Sequence, residues 1–331
     1  MQGQRTSISI AMAVYNGERF IRQQLDSFIG QTRLPDELVV SDNASTDRTV
    51  EVVREFAARA PFPVRLYINQ RNLGVTKNFE RAISECTGDI IFLSDCDDVW
   101  YPIKVAAMER AMTEWPEAVV ALCDADIADE EMGLLGHRLW EENRFAPSLR
   151  LRRAMAAGKT FKRSVPTLGN CMAFRAALKS IILPLPDGDL FQSAGQDVFI
   201  AWTLFYSGMG GIICINRPLL AYRQHPGQAT GAGAHRSTAA FLAGFFAQRK
   251  ERSWTPLFAA VSERLESIDS HAQPITPDMR SAVLRHWRAR ACLPANRVSR
   301  IPIIARELLT MRYHRFSRGA LTALKDLLFV E

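Results

Sequence analysis

The sequence predicts an α/β protein whose mostly parallel sheet is flanked by helices and followed by a helical C-terminal extension. Short apolar segments alternate with amphipathic segments through the first third of the 331 residues, which is typical of repeated β-α-β units. Polar residues follow directly on several of the apolar segments. After Gly227 the chain becomes helical in pattern and rich in arginine. A chain of this length has room for about two domains.

The N-terminal elements are predicted in order from their hydrophobic patterns. Apolar runs bounded by polar residues predict buried strands, and apolar residues at steps of three or four predict amphipathic helices, as for Ile21, Leu25 and Phe28. The predicted strands are Ser7–Val14, Leu38–Val40, Val64–Ile68 and Ile90–Leu93. The predicted helices are Gly17–Ile29, Asp47–Ala58 and Lys77–Cys86.

The rest of the chain is less regular. Further short strands are predicted at Val119–Cys123, Cys171–Phe174, Gly211–Ile215 and Leu219–Tyr222, with an apolar helix at Asp197–Phe205. The stretch Met132–Thr160 has no clean period and is interpreted as a substrate-facing insertion. Glycines and alanines near Gly231 and Gly233 suggest a link. We therefore expect a catalytic domain over residues 1–230 and a helical, basic extension over residues 231–331.

Composition narrows the class of protein. Hydrophobic residues make up 47% of the chain, which argues against a disordered or fibrous protein. No apolar run is long enough to span a bilayer, and the first ten residues lack the plan of a signal peptide. A cytoplasmic location is therefore expected. The six cysteines contain no CxxC pair, so neither a disulfide framework nor a zinc site is predicted.

Polar residues stand where three predicted strands end. These are Val14-Tyr15-Asn16, Asp42, and Asp95-Cys96-Asp97. Ligands of open α/β sheets bind at the carboxyl ends of the strands, so the three groups are expected at one crevice. The alternative is that each only forms a turn or caps a helix. Two carboxylates spaced as in Asp95-Cys96-Asp97 suit a hard cation such as Mg²⁺ or Mn²⁺.

Several motifs occur in an order that resembles an inverting family 2 glycosyltransferase of the GT-A fold, and its rhamnosyltransferase-like branch in particular. They are AVYNGERFIRQQLDSFIGQT, VVSDNASTDRT, NLGVTKNFERAI, FLSDCDDVW and YRQH. The resemblance runs from about Ser7 to His225, roughly two thirds of the chain. It implies a GT-A-type, Rossmann-like sheet in the first domain.

The resemblance also implies roles for individual residues. Those expected at the donor are Val14, Tyr15 and Glu18 at the base and ribose, Asp42 at a uracil or thymine ring with Asn43 beside it, Asn72 near the donor, and Asp95 at the ribose or sugar. Asp97 is the expected metal ligand, and His225 completes the metal shell or touches the diphosphate. Trp100 either borders the donor sugar or packs in the core.

Asp197 stands at the position of the family's catalytic base. It follows Gly195-Gln196 and opens an apolar helix. Spacing alone favours a helix cap for this aspartate, and the resemblance favours the base. An inverting transfer needs a carboxylate that removes the proton of the attacking hydroxyl. Asp187 and Asp189, a few residues upstream, are the alternative bases.

The implied activity is metal-dependent transfer of one sugar from a UDP- or dTDP-linked donor to a hydroxyl group. The implied acceptor is a saccharide or lipid-linked saccharide, in the assembly of bacterial cell-surface polysaccharide or glycolipid. Two departures from the family pattern bear on this. The segment Gln196–Trp202 lacks the arginine of the QxxRW signature of processive synthases, and Ser41 replaces the first acid of the second-strand motif.

Two other functions are alternatives to this one. A sugar nucleotidyltransferase usually carries a Gly-rich, basic loop just after the first strand. It is disfavoured here, because the corresponding loop, Tyr15–Glu18, holds a single glycine. A nucleic-acid-binding module would exploit the net charge of +6 and the basic tail, but the tail shows no recognisable module, so no nucleic-acid partner is expected.

The tail carries two alternatives of its own. Apolar residues at helical spacing near its start and end are Phe241, Leu242, Phe245, Phe246, Leu321, Leu324, Leu327 and Leu328. They either pack, against the catalytic domain or a second subunit of a homo-oligomer, or place a basic helix on an anionic membrane surface. In the second case the protein is peripheral on the inner face of the cell membrane.

Overall fold

A computed structural model of the chain describes residues 5–159, 165–186, 195–228, 255–268, 277–317 and 320–328. The strands are β1 (Ile8–Val14), β2 (Glu37–Asp42), β3 (Val64–Ile68), β4 (Ile90–Ser94), β5 (Val99–Trp100), β6 (Ala118–Ala128), β7 (Leu134–Arg138), β8 (Met172–Arg175) and β9 (Gly211–Arg223). The helices before the tail are α1 (Ile21–Ile29), α2 (Thr49–Ala57), α3 (Val75–Glu85), α4 (Lys104–Glu114), α5 (Leu139–Glu142), α6 (Leu149–Ala156), α7 (Lys179–Ile182) and α8 (Gly195–Tyr206). Those of the tail are α9 (Thr255–Ser267), α10 (Pro277–Ala291), α11 (Arg297–Leu309), α12 (Arg312–Phe316) and α13 (Ala320–Leu328).

The described strands form one sheet in the order β3-β2-β1-β4-β8-β6-β9-β5, with β7 paired to β6. The first four strands in this order are parallel, as the sequence predicts. Their registers place Val14 opposite Asp42 and Met12 opposite Ser94. The carboxyl ends of β1, β2 and β4 therefore lie side by side, and the loops that follow them share one edge of the sheet.

Helices cover this part of the sheet on both faces, which explains why the middle of β1, β2 and β4 is apolar. Every residue of β2 and β4 is buried, and such near-continuous burial is typical of parallel strands. On α3 the buried apolar residues are Phe79, Ala82 and Ile83, the set predicted from helical spacing. The α/β fold class is thus confirmed for the N-terminal half.

The second half of the sheet is mixed in direction. Strand β8 runs antiparallel to both β4 and β6, and β9 runs parallel to β6 but antiparallel to β5. The predicted strands Gly211–Ile215 and Leu219–Tyr222 are one strand with a register shift, where Ile215 pairs with Cys123 and Pro218 with Asp124. Proline lacks the N–H that a ladder needs, so it is confined to such irregular positions.

Two other predictions are corrected in this half. The predicted strand Val119–Cys123 is the start of an 11-residue strand, β6. The stretch Met132–Thr160, for which the sequence shows no clean period and no element was predicted, contains β7, α5 and α6. These elements were missed because they are short and because β7, with the sequence LLGHR, is largely exposed and so shows no alternation between apolar and polar residues.

Helix α8 lies between the sheet and the tail, which accounts for its lack of a polar face. Its residues from Phe199 to Tyr206 are all buried. On the tail side, Trp202 stacks with Phe258 and Trp287 at ring-centroid distances of 5.7 and 6.0 Å. Helices α9 and α10 therefore belong to the same hydrophobic core as the sheet.

The last three helices build a small second core. Ile304 of α11, Tyr313 of α12 and Ala323 of α13 are its buried residues, with Leu327 packed against them. Leu327 therefore packs within the protein, as one of the two predictions for the tail states, whereas Leu324 is 44% exposed. Of the other tail residues named above, Phe241, Leu242, Phe245 and Phe246 lie outside the described residues, as does the proposed boundary at 230/231, which stays a prediction.

No helix within the described ranges is both long and apolar enough to cross a membrane.

The packing of α6 against Gly211, the first residue of β9, can be tested by substitution. A Cβ atom on Gly211 would overlap the backbone carbonyl of Ala156. We expect Gly211→Ala to lower the free energy of unfolding by about 1–3 kcal/mol, the usual cost of overpacking, measured by urea denaturation. Gly30→Ala is the matched control, because the nearest atom would lie 3.7 Å from its Cβ. Equal denaturation midpoints for the two variants would contradict the packing.

Candidate active site

The candidate site lies at the carboxyl edge of β1, β2 and β4. The acidic segment Asp95–Asp98 leaves β4 and lies against the loop that follows β1. A Cβ atom on Gly17 would lie 2.9 Å from the Sγ of Cys96, so these two segments are in tight contact. Cys96, between the two acids of the DxD motif (Asp95 and Asp97), thus packs inward against Gly17, which has no side chain.

Asp97 and His225 meet across this edge, although 128 residues separate them in the chain. Their Oδ2 and Nε2 atoms are 3.0 Å apart. The backbone N–H of Gly227 donates a hydrogen bond to Nδ1 of His225 at 3.2 Å, so in the neutral ring Nε2 carries the proton and donates it to Asp97. The imidazole also packs on Phe20, at a centroid distance of 4.7 Å.

This pair fits a divalent cation that is shared with a substrate. Among the described residues, no three His, Cys, Asp or Glu side chains are grouped so as to hold a metal ion by themselves. Asp97 and His225 offer one oxygen and one nitrogen that are partly open to solvent. Mg²⁺ is commonly bound by one or two protein ligands together with phosphate oxygens and water, and a cation at Nε2 would have to displace the proton found there.

Arg223, at the end of β9, holds the acidic segment in place. Its guanidinium donates to the backbone carbonyl of Asp97 at 2.6 Å and also to the carbonyl of Glu130 and the side-chain oxygen of Gln23. It lies 4.5 Å from the ring centroid of Phe20. Since every one of these contacts is internal, Arg223 is a positioning residue in this structure rather than a group aimed at a phosphate.

Asp98 is a buried acid that was not among the predicted site residues. Its carboxylate accepts hydrogen bonds from the backbone N–H of Arg223, at 3.0 Å, and from the side-chain amide of Asn170. Burial and the charge of Asp97 raise the pKa of Asp98 to about 7. The signal was present as a third acid directly after the DxD motif, but nothing in the sequence shows that its side chain points inward.

Lys104 lies beneath this segment and is fully buried. Its ammonium donates to the backbone carbonyl of Asn170 and lies 3.8 Å from the ring centroid of Trp100. Burial lowers the pKa of Lys104, while the carboxylates of Asp98 and Asp95 act in the opposite direction. A buried cation under a group of acids partly offsets their mutual repulsion.

Asp95 lies half-buried at the centre of the acids. Burial, followed by the charges of Asp97, Asp98 and Asp197, raises its pKa well above the usual range. Within the part of the chain that the structure describes, no hydrogen bond reaches its carboxylate. A Cβ atom on Gly169 would lie 3.8 Å from the Cβ of Asp197 and 3.9 Å from the Cβ of Leu93. Asp197 therefore lies near the end of β4, although 102 residues separate it from Asp95 in sequence.

Asp197 stands in the first turn of α8 and is largely buried. Its two carboxylate oxygens accept hydrogen bonds from the backbone N–H groups of Gly169 and Val198, at 2.9 and 2.8 Å. Burial raises the pKa of Asp197 to about 7 despite these bonds. The helix-cap interpretation and the base interpretation are thus compatible, because the bonds fix the carboxylate and its pKa suits proton uptake near neutral pH. Asp187 and Asp189 lie outside the described residues.

Asp42 is the last residue of β2, and only one of its two carboxylate oxygens has a hydrogen-bond partner. Its Oδ2 accepts the backbone N–H of Ser45 at 3.0 Å. Its Oδ1 is buried and has no hydrogen-bond partner. A buried carboxylate oxygen without a partner is costly, and it is a ready acceptor for an N–H group of a ligand.

The other residues expected at the donor mostly hold loops together. Asn43 donates through its side-chain amide to Asn72 at 2.8 Å and accepts from the backbone N–H of Leu73 at 2.8 Å. Glu18 accepts from the backbone N–H of Arg48 at 2.7 Å. These hydrogen bonds connect the loops that follow β1, β2 and β3, and Glu18 and Asn72 are exposed, so their roles at the donor stay predictions.

Val14, Tyr15 and Trp100 differ in their exposure. Val14 is buried at the end of β1, whereas the ring of Tyr15 is 48% exposed beside it and is free to contact a ligand. Trp100 is only 2% exposed and packs on Phe28 at a centroid distance of 4.8 Å. This placement favours the packing interpretation of Trp100, so we do not include it in the proposed donor site.

Comparison with known proteins places this arrangement in a family. Residues 9–182, more than half of the chain, match the family model described as glycosyl transferase family 2. The chain belongs to this family. The matched region contains Asp42, Asp95 and Asp97, while Asp197 and His225 follow it in sequence.

Curated relatives agree with this membership over part of their length. The chain is 37% identical to a dTDP-rhamnosyl transferase, RfbG, of Shigella flexneri over 98 residues, which are 28% of this chain and 34% of that protein. It is 30% identical to an abequosyltransferase, RfbV, of Salmonella typhimurium over 119 residues, 35% of each chain. The matches span about a third of these relatives.

Solved structures confirm the fold. The S. aureus protein TarS, residues 1–349 in complex with UDP, superposes with a TM-score of 0.54 at 15% identity, covering 97% of this chain and 80% of that one. The complex of the same protein with UDP-GlcNAc gives a TM-score of 0.53 at 16% identity, covering 85% and 91%. The similarity extends well beyond the family match, into the helical tail.

Proposed function

We propose that this family 2 member is a metal-dependent inverting glycosyltransferase that moves one sugar from a UDP- or dTDP-linked donor to a hydroxyl group. The proposed acceptor is a saccharide or lipid-linked saccharide of bacterial cell-surface polysaccharide or glycolipid assembly, met at the inner face of the cell membrane. One observation carries the proposal: a single sheet edge gathers an unsatisfied acceptor oxygen, a carboxylate-histidine pair and a buried carboxylate with a pKa near neutrality.

The donor nucleotide is proposed from Asp42. Uracil and thymine both present a ring N–H between two carbonyl groups, and the free Oδ1 of Asp42 supplies an acceptor for it. The relatives support this choice, because one is named a dTDP-rhamnosyl transferase and a solved structure of similar fold binds UDP. The exposed ring of Tyr15 is proposed to lie along the nucleoside.

The diphosphate is proposed to lie beside Asp97 and His225. A divalent cation bound to this pair would neutralise the negative charge that develops on the leaving diphosphate. Asp95, whose carboxylate has no hydrogen bond within the described residues, is proposed to accept hydroxyl groups of the donor ribose or sugar. Lys104 and Arg223 fix the segment from below and from the side.

The transfer step is a single displacement at the anomeric carbon. The acceptor oxygen forms a bond to that carbon as the bond to the diphosphate oxygen breaks, and the bonding electrons leave with the nucleoside diphosphate. The acceptor proton passes to the carboxylate of Asp197. Because Gly169 and Val198 hold both oxygens of Asp197 in place, the base is oriented before the acceptor arrives.

A donor screen tests the proposed reaction. UDP-, dTDP- and GDP-sugars are incubated with the full chain and with Mg²⁺ or Mn²⁺, and release of the nucleoside diphosphate is measured. We expect metal-stimulated release from UDP- or dTDP-sugars, and loss of the metal stimulation in Asp97→Ala. The matched control is Asp26→Ala, a surface carboxylate paired with Arg59, which should keep full activity. Metal-stimulated turnover in Asp97→Ala would overturn the metal assignment.

The role of Asp42 predicts a change in base preference. In Asp42→Asn the side-chain oxygen stays with the N–H of Ser45, so the amide NH₂ takes the place of Oδ1. It then faces the ring N–H of uracil, donor against donor. We expect UDP affinity to fall by roughly ten- to a hundred-fold, measured by calorimetry. CDP is the control ligand, because cytosine presents an acceptor at that position and should lose no affinity. Equal losses for UDP and CDP would remove Asp42 from the base contact.

The role of Asp197 predicts a loss of turnover without a loss of donor binding. Asp197→Asn cannot take the acceptor proton, and removing a general base typically slows a reaction by about 10²–10⁴-fold. In the wild type, kcat/KM should fall as pH drops below about 7, since burial raises the pKa of Asp197 to about 7 and the protonated acid is inactive. The variant's residual rate should lack this pH limb. Asp187→Asn and Asp189→Asn are the controls, and near-normal turnover in Asp197→Asn would redirect the assignment to one of them.

A further inference from the structure

Helix α11 presents an apolar outer face that no other described part of the chain covers. Val298, Ile301 and Leu309 are 71%, 52% and 85% exposed, and Met311, just past the helix, is 53% exposed. The exposed apolar residues of the helix lie on one side of it, because steps of three or four residues separate Val298, Ile301, Ala305 and Leu309. The stripe, which we call the α11 face (Val298, Ile301, Leu309 and Met311), is roughly 20 Å long.

The inner side of the same helix is firmly held, which fixes the direction of the α11 face. Arg300, on the inner side, is 1% exposed, and it donates to the backbone carbonyls of Pro294, Ala295 and Asp326 at 2.6, 2.7 and 3.0 Å. Ile304 is buried in the second core. The helix therefore cannot turn its exposed apolar residues inward without breaking these bonds.

The exposed charges on the chain segment that carries the α11 face have one sign. Arg297 and Arg306 are exposed on the same helix. The only acid between residues 292 and 317 is Glu307, and it is buried, where it pairs with His286 at 2.8 Å and with Arg312 at 2.7 Å. Every exposed charge of this segment is thus positive, beside an exposed apolar stripe.

We infer that the α11 face docks on an anionic lipid bilayer, with its apolar residues inserted at the headgroup boundary and Arg297 and Arg306 against the headgroups. A bilayer of this kind supplies an apolar layer and negative charge together, which matches the two features of the face. The inference also assigns the docking to α11 instead of the last helix, where Leu324 is the only exposed large hydrophobic residue that the structure describes while Ala323 and Leu327 pack in the second core, so the described part of that helix offers no apolar stripe.

This inference rests on the membrane location proposed above, but its test needs neither donor nor acceptor. The full chain is sedimented with phosphatidylcholine vesicles and with vesicles that also contain phosphatidylglycerol. We expect binding to the anionic vesicles that falls at high salt. Arg297→Gln with Arg306→Gln should weaken that binding by roughly thirty-fold, and Ile301→Glu with Leu309→Glu should weaken it by roughly a hundred-fold or more.

A matched control separates the α11 face from exposed leucine in general. Leu134 and Leu135 of β7 are 59% and 49% exposed, and Leu134→Glu with Leu135→Glu should bind vesicles as the wild type does. All variants are checked by circular dichroism, and nucleoside diphosphate release is measured separately, so that failure of docking is distinguishable from failure of the proposed transfer.

Three results would overturn the inference. The first is a wild-type chain that ignores anionic vesicles at low salt. The second is a control variant that loses binding as fully as the Ile301 and Leu309 variant. The third is a wild-type dimer, found by light scattering, that Ile301→Glu with Leu309→Glu converts to a monomer while vesicle binding is unchanged, because the α11 face would then be covered by a second copy of the chain.

Discussion

The guanidinium of Arg223 ties the acidic segment of the candidate site to two other parts of the chain. It binds the carbonyl of Asp97 in the acidic segment, the carbonyl of Glu130 beyond β6 and the side chain of Gln23 in α1. Its position at the end of the long strand β9 places His225 two residues later, opposite Asp97. Because buried bonds to a charged group are strong, this one side chain couples the geometry of the Asp97–His225 pair to the edge of the sheet.

The same site concentrates negative charge where water is scarce. Asp95, Asp98 and Asp197 all have raised pKa values, with burial as the largest cause in each case. The buried Lys104 offsets only part of this repulsion. Without a ligand these carboxylates favour protonation, and a bound cation would offset their mutual repulsion in the same way. Charges that the folded protein already holds in place do not have to be reorganised when the substrate reacts.

The sequence was sufficient for the parallel half of the sheet, because each strand there is a local apolar run and each helix has a clear apolar face. It was also sufficient to bring Asp42, Asp95 and Asp97 to one edge, since that follows from strand order alone. It failed where long-range pairing decides the structure. The two short apolar runs form one strand, β9, because both pair with β6. Asp98 points inward because it binds Asn170, and Trp100 does so because it packs on Phe28.

The tail supports the candidate site through α8, the helix that carries Asp197 and also packs on the tail. The N-terminal turn of α8 carries Asp197, while Trp202 and Tyr206, further along the helix, pack on Phe258 and Trp287 of the tail. Removing the tail would expose these aromatic faces to water, at a cost of the order of the burial energy of large side chains. A helix that lost this cover would no longer hold its first turn rigidly against Gly169. The orientation of the proposed base thus depends on helices that contribute no residue to the crevice.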